Sequence, residues 1–158
     1  MTELAIGQPV PDFTLQATAG RVFSSAGLQG KYWVVYFYPK DSTPGCTQEG
    51  LDFRDLYLEF AKLDADIVGV SRDSLKSHEN FKAKQGFPFE LASDADETLC
   101  KLFGVIKLKN MYGKQVLGLE RSTFLIDREG RLAREWRKVS VKGHAQKVLD
   151  ALREIEGV

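Results

Sequence analysis

Cysteine is nearly absent from this chain, with Cys46 and Cys100 the only two among 158 residues. So few exclude a disulfide framework, and lying 54 positions apart they lack the paired spacing of a zinc site. Net charge is absent as well. Twenty-two basic side chains balance 22 acidic ones, so nothing calls for nucleic acid or an anionic membrane as a partner. No apolar run is long enough to span a bilayer, and residues 1–7 carry neither the basic region nor the apolar core of a signal peptide. Repeats, linkers and low-complexity tracts are missing. The length fits one domain, residues 1–158, with a sizeable core. These absences predict a cytoplasmic protein with reduced thiols and no membrane attachment.

What is present is an alternation of strands and helices. Residues 10–15 and 21–24 read as a hairpin around Ala19-Gly20, and the apolar β-rich run at 32–38 as a central strand covered on both faces. Pro39 and Pro44-Gly45 break the chain into a loop. From Cys46 onward, Phe53, Leu56, Tyr57, Phe60 and Leu63 recur at helical spacing. A second strand is expected at 66–71, a helix capped by Ser74 and running to about 85, a short strand at 89–92, and a helix over 94–103. Residues 106–119, with Gly113 and Gly118 among lysines, read as an irregular, solvated connection. Residues 122–126 and 131–137 then form a hairpin. A last helix follows Gly143-His144 with Ala145, Val148, Leu149, Leu152 and Ile155 in register. This order predicts an α/β fold: a central mixed sheet flanked by helices, with an N-terminal β-hairpin.

Cys46 holds the most informative place in that order, between the central strand and the start of a helix. Peptide dipoles and unpaired N–H groups at a helix N-terminus favour negative charge. A thiolate there is a nucleophile. Yet an ordinary cysteine is already a few per cent thiolate at pH 7, so full ionisation gains about 30-fold at most. A fast reaction also needs donors aimed at the charge that develops on the leaving group, at about 10²–10³ per donor.

The pattern Pro39-x-x-x-Thr43-x-x-Cys46, with Glu49 three residues on and Arg121 before Ser-Thr-Phe-Leu-Ile-Asp, resembles the active site of peroxiredoxins. The fuller string from Tyr36 to Thr47 is similar to the PrxQ branch, also called bacterioferritin comigratory protein. The likeness continues through residues 69–74 and 121–127 and so covers nearly the whole chain. It implies a thioredoxin-like fold and a thiol-specific peroxidase, without cofactor or metal, acting on hydrogen peroxide and organic hydroperoxides in antioxidant defence. Cys46 becomes the attacking sulfur. Arg121 becomes a permanent planar cation able to touch both sulfur and peroxide. Thr43 offers a hydroxyl to orient the peroxide. Pro39 shapes and shields the loop, and Glu49 holds Arg121 through a charge-assisted pair. Each residue alone has a blander reading: a buried small side chain, a solvated strand-edge charge, a first-turn acid, a loop hydroxyl, a strand terminator. It is their coincidence that points to the chemistry.

The chain departs from the PrxQ pattern in its second thiol. Many relatives carry a resolving cysteine five residues after the first or in the following helix. Here those places are Leu51 and Lys82. Cys100 lies on the margin of an apolar stripe and reads as a buried small side chain, with a resolving role as the alternative. The expectation is a one-cysteine mechanism in a monomer, completed by thioredoxin, glutaredoxin or glutathione. A thioredoxin-like disulfide reductase is disfavoured, since Glu49 stands where Cys-x-x-Cys needs its second sulfur. A non-catalytic binding module would leave Thr43 and Arg121 without a reason. Tyr38 and Trp136 read as core aromatics, and His78 and His144 as packed rather than catalytic.

Overall fold

The apolar run around residue 35 sends its side chains to two sides, and that decides the architecture. In the computed structural model, which describes residues 4–158, strand β3 (Tyr32–Phe37) lies inside a seven-stranded sheet. Val35 and Phe37 enter one apolar cluster and Val34 and Tyr36 another, because successive strand side chains face opposite ways. β3 pairs in parallel with β4 (Ala65–Ser71) and antiparallel with β8 (Ser122–Ile126). β4 pairs in parallel with β5 (Glu90–Ser93), and β5 antiparallel with β1 (Thr14–Ala17), which carries β2 (Val22–Ser24) on its far side. β9 (Leu132–Trp136) pairs antiparallel with β8 at the other edge. The sheet is therefore mixed, as the order of elements predicts.

Helices cover both faces. Three of them, α1 (Pro44–Lys62), α2 (Leu75–Gln85) and α4 (His144–Glu156), pack Phe53, Phe60, Phe81, Val148 and Leu152 against Val34 and Tyr36. On the opposite face α3 (Thr98–Leu102) adds Leu99 and Cys100 to the cluster around Val35 and Phe37. α1 passes so close to Phe87 that a Cβ on Gly50 would lie 2.3 Å from its ring. A glycine inside a helix costs about 1 kcal/mol relative to alanine, and here it lets the helix seat against the aromatic cluster. No helix among the described residues is long and apolar enough to cross a membrane.

Three expectations need correction. Residues 106–119 are not irregular. They form an antiparallel hairpin, β6 (Ile106–Met111) with β7 (Lys114–Leu119), which pairs with no strand of the main sheet. Its turn uses Tyr112 and Gly113, both at positive φ (53° and 80°), so the usual Asn-Gly signature is absent. The helix expected over 94–103 is only Thr98–Leu102, because the Asp94 carboxylate accepts from the N–H groups of Leu99 and Cys100 and Glu97 is left-handed at φ 61°. The first strand begins at Thr14 rather than at residue 10, past Pro11, which has no N–H to offer a ladder. Residues 1–3, part of the stretch read as lacking a leader, lie outside the described residues.

Candidate active site

The site forms where β3 leaves the sheet. Tyr38 is still buried, Pro39 is half-buried, and the chain turns through Ser42 at φ 63°, a left-handed conformation unusual for serine. Thr43 is the N-cap of α1 in extended conformation, and Pro44 occupies the first turn, where a missing N–H costs nothing. Cys46 is thus the third helical residue. It is 1 % exposed, lying beneath the first turn, whose N–H groups have no partner within the helix.

Arg121, just before β8, reaches across to this turn. Its Nη2 donates to Cys46 Sγ at 3.4 Å and its Nη1 to Glu49 Oε1 at 2.6 Å. Cys46 and Glu49, three residues apart on one helix, share the face that meets the guanidinium. Gly45 makes the approach possible, since a Cβ there would lie 3.1 Å from Nη2. The geometry therefore brings Cys46, Glu49 and Arg121 together. Thr43 caps the same helix, but its hydroxyl donates to the Lys40 carbonyl at 2.8 Å rather than to a helix N–H. That bond uses its hydrogen and leaves the oxygen free to accept.

Electrostatics tie the pair together. Burial pushes the Glu49 carboxyl up to about 7, while Arg121 pulls it down and Asp52 adds to the rise. One Glu49 oxygen, Oε2, is buried with no hydrogen-bond partner among the described residues. For Arg121 burial works toward a lower value, but Glu49 and Cys46 outweigh it and its pKa is raised. The two directions agree on a guanidinium that stays charged beside a carboxyl that titrates near neutrality.

Sequence reasoning missed how the loop is held. Tyr38 Oη donates to Asp41 Oδ1 at 2.5 Å, Ser77 Oγ to Asp41 Oδ2 at 2.8 Å, and His78 Nδ1 lies 2.7 Å from Asp41 Oδ2. The Asp41 N–H donates to Asp73 Oδ2 at 2.9 Å, and His78 Nε2 sits 3.0 Å from the Ala92 carbonyl. The loop before Cys46 is thereby bolted to the start of α2. Burial works to raise the Asp41 carboxyl, but hydrogen bonds from His78 and Tyr38 outweigh it and hold the pKa low. Asp41, Asp73 and His78 have atoms close enough to bind a metal ion, but those atoms are already engaged with one another and with Tyr38, Ser71 and Ser77. An aspartate four residues past the end of β3 was the only signal the sequence offered.

Cys100 lies on the other side of the sheet from Cys46, fully buried among Leu99, Phe103 and Phe37. Burial and the Asp94 carboxylate push its thiol far up. Trp136 and His144 flank α1, with Phe53 also edge-on to His144. His144 Nε2 is hydrogen-bonded to Thr123 Oγ1 at 2.7 Å, and burial, with Lys147 and Arg121, lowers its pKa from 6.5 to about 4. Its neutral form is the folded form. The unfolded chain takes up a proton below about 6.5 that the folded chain refuses until about 4, so this contribution is complete above 6.5 and lost as pH falls through that window. The ceiling is about 3 kcal/mol. Urea titrations of the wild type and His144→Gln should therefore diverge most near pH 7 and converge toward pH 4. A constant difference across that range would refute the assignment. Taking the difference also cancels Glu49, whose raised pKa gives the opposite slope between about 4.5 and 7.

The family model described as AhpC/TSA matches residues 6–135. Peroxiredoxin Bcp of Xanthomonas campestris is 57% identical over 155 residues, 97% of this chain and 97% of that protein. Peroxiredoxin Bcp of Bacillus subtilis is 51% identical over 152 residues, 96% and 97% of the two chains. A solved structure of X. campestris bacterioferritin comigratory protein, from work on its alkyl peroxide reduction activity with trapped intermediate and ligand complexes, superposes with a TM-score of 0.90 at 57% identity over 96% of each chain.

Proposed function

This chain belongs to the AhpC/TSA family as a thioredoxin-fold peroxiredoxin of the Bcp type, a thiol-dependent peroxidase, and we propose that it works through Cys46 alone, with an external thiol as reductant. The observation that carries this reading is the guanidinium of Arg121 bonded at once to Glu49 and to the sulfur. Cys46 Sγ attacks the terminal oxygen of a hydroperoxide. The S–O bond forms as the O–O bond breaks, the sulfur is oxidised to sulfenic acid, and the departing oxygen takes a proton to leave as water or an alcohol. Arg121 stabilises the charge on that oxygen, Thr43 accepts a hydrogen bond from the peroxide, and Pro39 keeps water from the sulfur. Hydrogen peroxide and alkyl hydroperoxides are the substrates.

A second thiol then condenses with the sulfenic acid, releasing water and leaving a mixed disulfide, and a further thiolate frees Cys46. Leu51 and Lys82 exclude the usual internal partners. Cys100 is an unsuitable one, being buried on the opposite face of the sheet. Bridging it would need Cα atoms within about 7 Å and so loss of the sheet between them. Because Cys46 is 1 % exposed, a peroxide fits where a protein thiol does not, and resolution requires the first turn of α1 to open.

Treating the reduced protein with one equivalent of peroxide and weighing it intact tests the mechanism. Gain of one oxygen on Cys46, and unchanged thiol-driven turnover in Cys100→Ala, are the expected results. Loss of two hydrogens with a Cys46–Cys100 crosslink would falsify it.

A further inference from the structure

We infer that Asp73 is a positioning residue for the peroxide step: it holds the Lys40–Asp41 peptide so that the Thr43 hydroxyl keeps its oxygen free for the substrate. The inference rests on the reading above that Thr43 accepts a hydrogen bond from the peroxide, and adds what aims that acceptor.

Thr43 stands where a threonine ordinarily caps a helix. As the N-cap of α1 its side-chain oxygen is placed to accept from an N–H of the first turn, a bond whose loss costs about 1 kcal/mol. It makes no such bond. The hydroxyl instead donates to the Lys40 carbonyl at 2.8 Å. Ser74, at the same position of α2, takes the ordinary course and accepts from the Ser77 N–H at 3.2 Å. Thr43 is therefore drawn away from its cap by the carbonyl in front of it.

That carbonyl belongs to the same rigid unit as the Asp41 N–H. A peptide bond is planar, and none among the described residues is cis, so the two groups point in opposite directions. Fixing one fixes the other. The Asp41 N–H donates to Asp73 Oδ2 at 2.9 Å, which turns the Lys40 oxygen the other way, toward Thr43.

Asp73 is itself seated from several sides. Ser71 Oγ donates to the same Oδ2 at 2.5 Å, the Asp73 N–H donates to Ser71 Oγ at 3.1 Å, and Ser93 Oγ donates to the Asp73 carbonyl at 2.6 Å. Ser71 and Ser93 end β4 and β5 and are paired there, so the hydroxyl is anchored to the sheet. The Asp41 carboxylate, held by Tyr38, Ser77 and His78, pins its residue but leaves the preceding peptide free to turn about its flanking single bonds. Without Asp73 the Lys40 carbonyl swings away, and Thr43 can turn to the vacant helix N–H groups, where its oxygen is consumed as a cap.

Second-order rate constants for hydrogen peroxide, measured by stopped flow on the reduced protein, test this in Asp73→Ala, Asp73→Asn and Ser71→Ala. Each is made in the wild-type and in the Thr43→Val background. Thr43→Val itself should be slower by about 10²-fold. Asp73→Ala should lose about tenfold to 10²-fold, the cost of a misplaced group, and less than about a further twofold once residue 43 is valine. Asp73→Asn should stay within about threefold of wild type, because its amide oxygen accepts the same two hydrogen bonds. Ser71→Ala, which loosens the carboxylate without removing it, should fall between them with the same dependence on Thr43, and decides the matter if Asp73→Ala does not fold. Alkylation of Cys46 by iodoacetamide draws on the thiolate and its access but not on Thr43, and should stay within about twofold in the Asp73 and Ser71 variants. An equal loss in both backgrounds, a loss in Asp73→Asn as large as in Asp73→Ala, or alkylation that shifts in step with the peroxide rate would each overturn the assignment. Failure of the underlying reading shows separately, as a wild-type rate in Thr43→Val, and takes the assignment with it.

Discussion

Cys46→Ser should abolish peroxide turnover while leaving the fold in place. The hydroxyl replaces the thiol at nearly the same volume, beneath a helix turn and beside Arg121 Nη2, which can donate to oxygen as it does to sulfur. The buried hydroxyl is therefore satisfied, and stability should move by about 1 kcal/mol or less. Chemistry is lost because an alcohol is scarcely ionised near neutrality and cannot hold the oxygen as a sulfenic acid. A stopped-flow assay with excess peroxide and dithiothreitol, alongside far-UV circular dichroism, reads both halves of the expectation. Residual turnover above a thousandth of wild type would mean that another group reduces peroxide.

Arg121→Ala is the second large effect, a loss of about 10²–10³ in kcat/KM for peroxide. It removes the donor to sulfur and to the leaving oxygen together. It also strands Glu49, 1% exposed at its side chain, with neither oxygen paired, so Glu49 should hold its proton more firmly and stability should fall. Breaking a buried ion pair from one side costs about 3–5 kcal/mol, and less where one partner is partly exposed, as Arg121 is at 16%. Combining it with Glu49→Gln should recover stability without recovering rate, which separates the two roles. Arg121→Lys keeps the charge but has no fork to span carboxylate and sulfur, so an intermediate rate is expected. Turnover within threefold of wild type in Arg121→Ala would remove the guanidinium from the mechanism.

Much of this site was legible beforehand because its parts sit close together in the chain. A strand, two prolines, a glycine and a cysteine within fifteen residues prescribe a thiol at a helix start whatever surrounds them. Cys46 and Glu49 share a face by helical periodicity alone. The hairpin at 106–119 was illegible for the opposite reason: its apolar alternation is interrupted by lysines, it pairs outside the main sheet, and its turn lacks the usual residues. The Tyr38–Asp41–His78 network was hidden because its members come from the residue just past a strand, a loop and a helix, which no spacing rule connects.

Residue order alone settled the alternation of strands and helices, the scarcity of thiols, and the family likeness carried by contiguous motifs, because each depends on neighbours along one chain. Folding settled the rest. Only packing in three dimensions could put Arg121 within 3.4 Å of a sulfur 75 positions away, leave Gly45 as the gap it passes, and set a whole sheet between Cys46 and Cys100. Contacts between distant segments are chosen by which surfaces can be buried together, and that choice is made by the entire core at once.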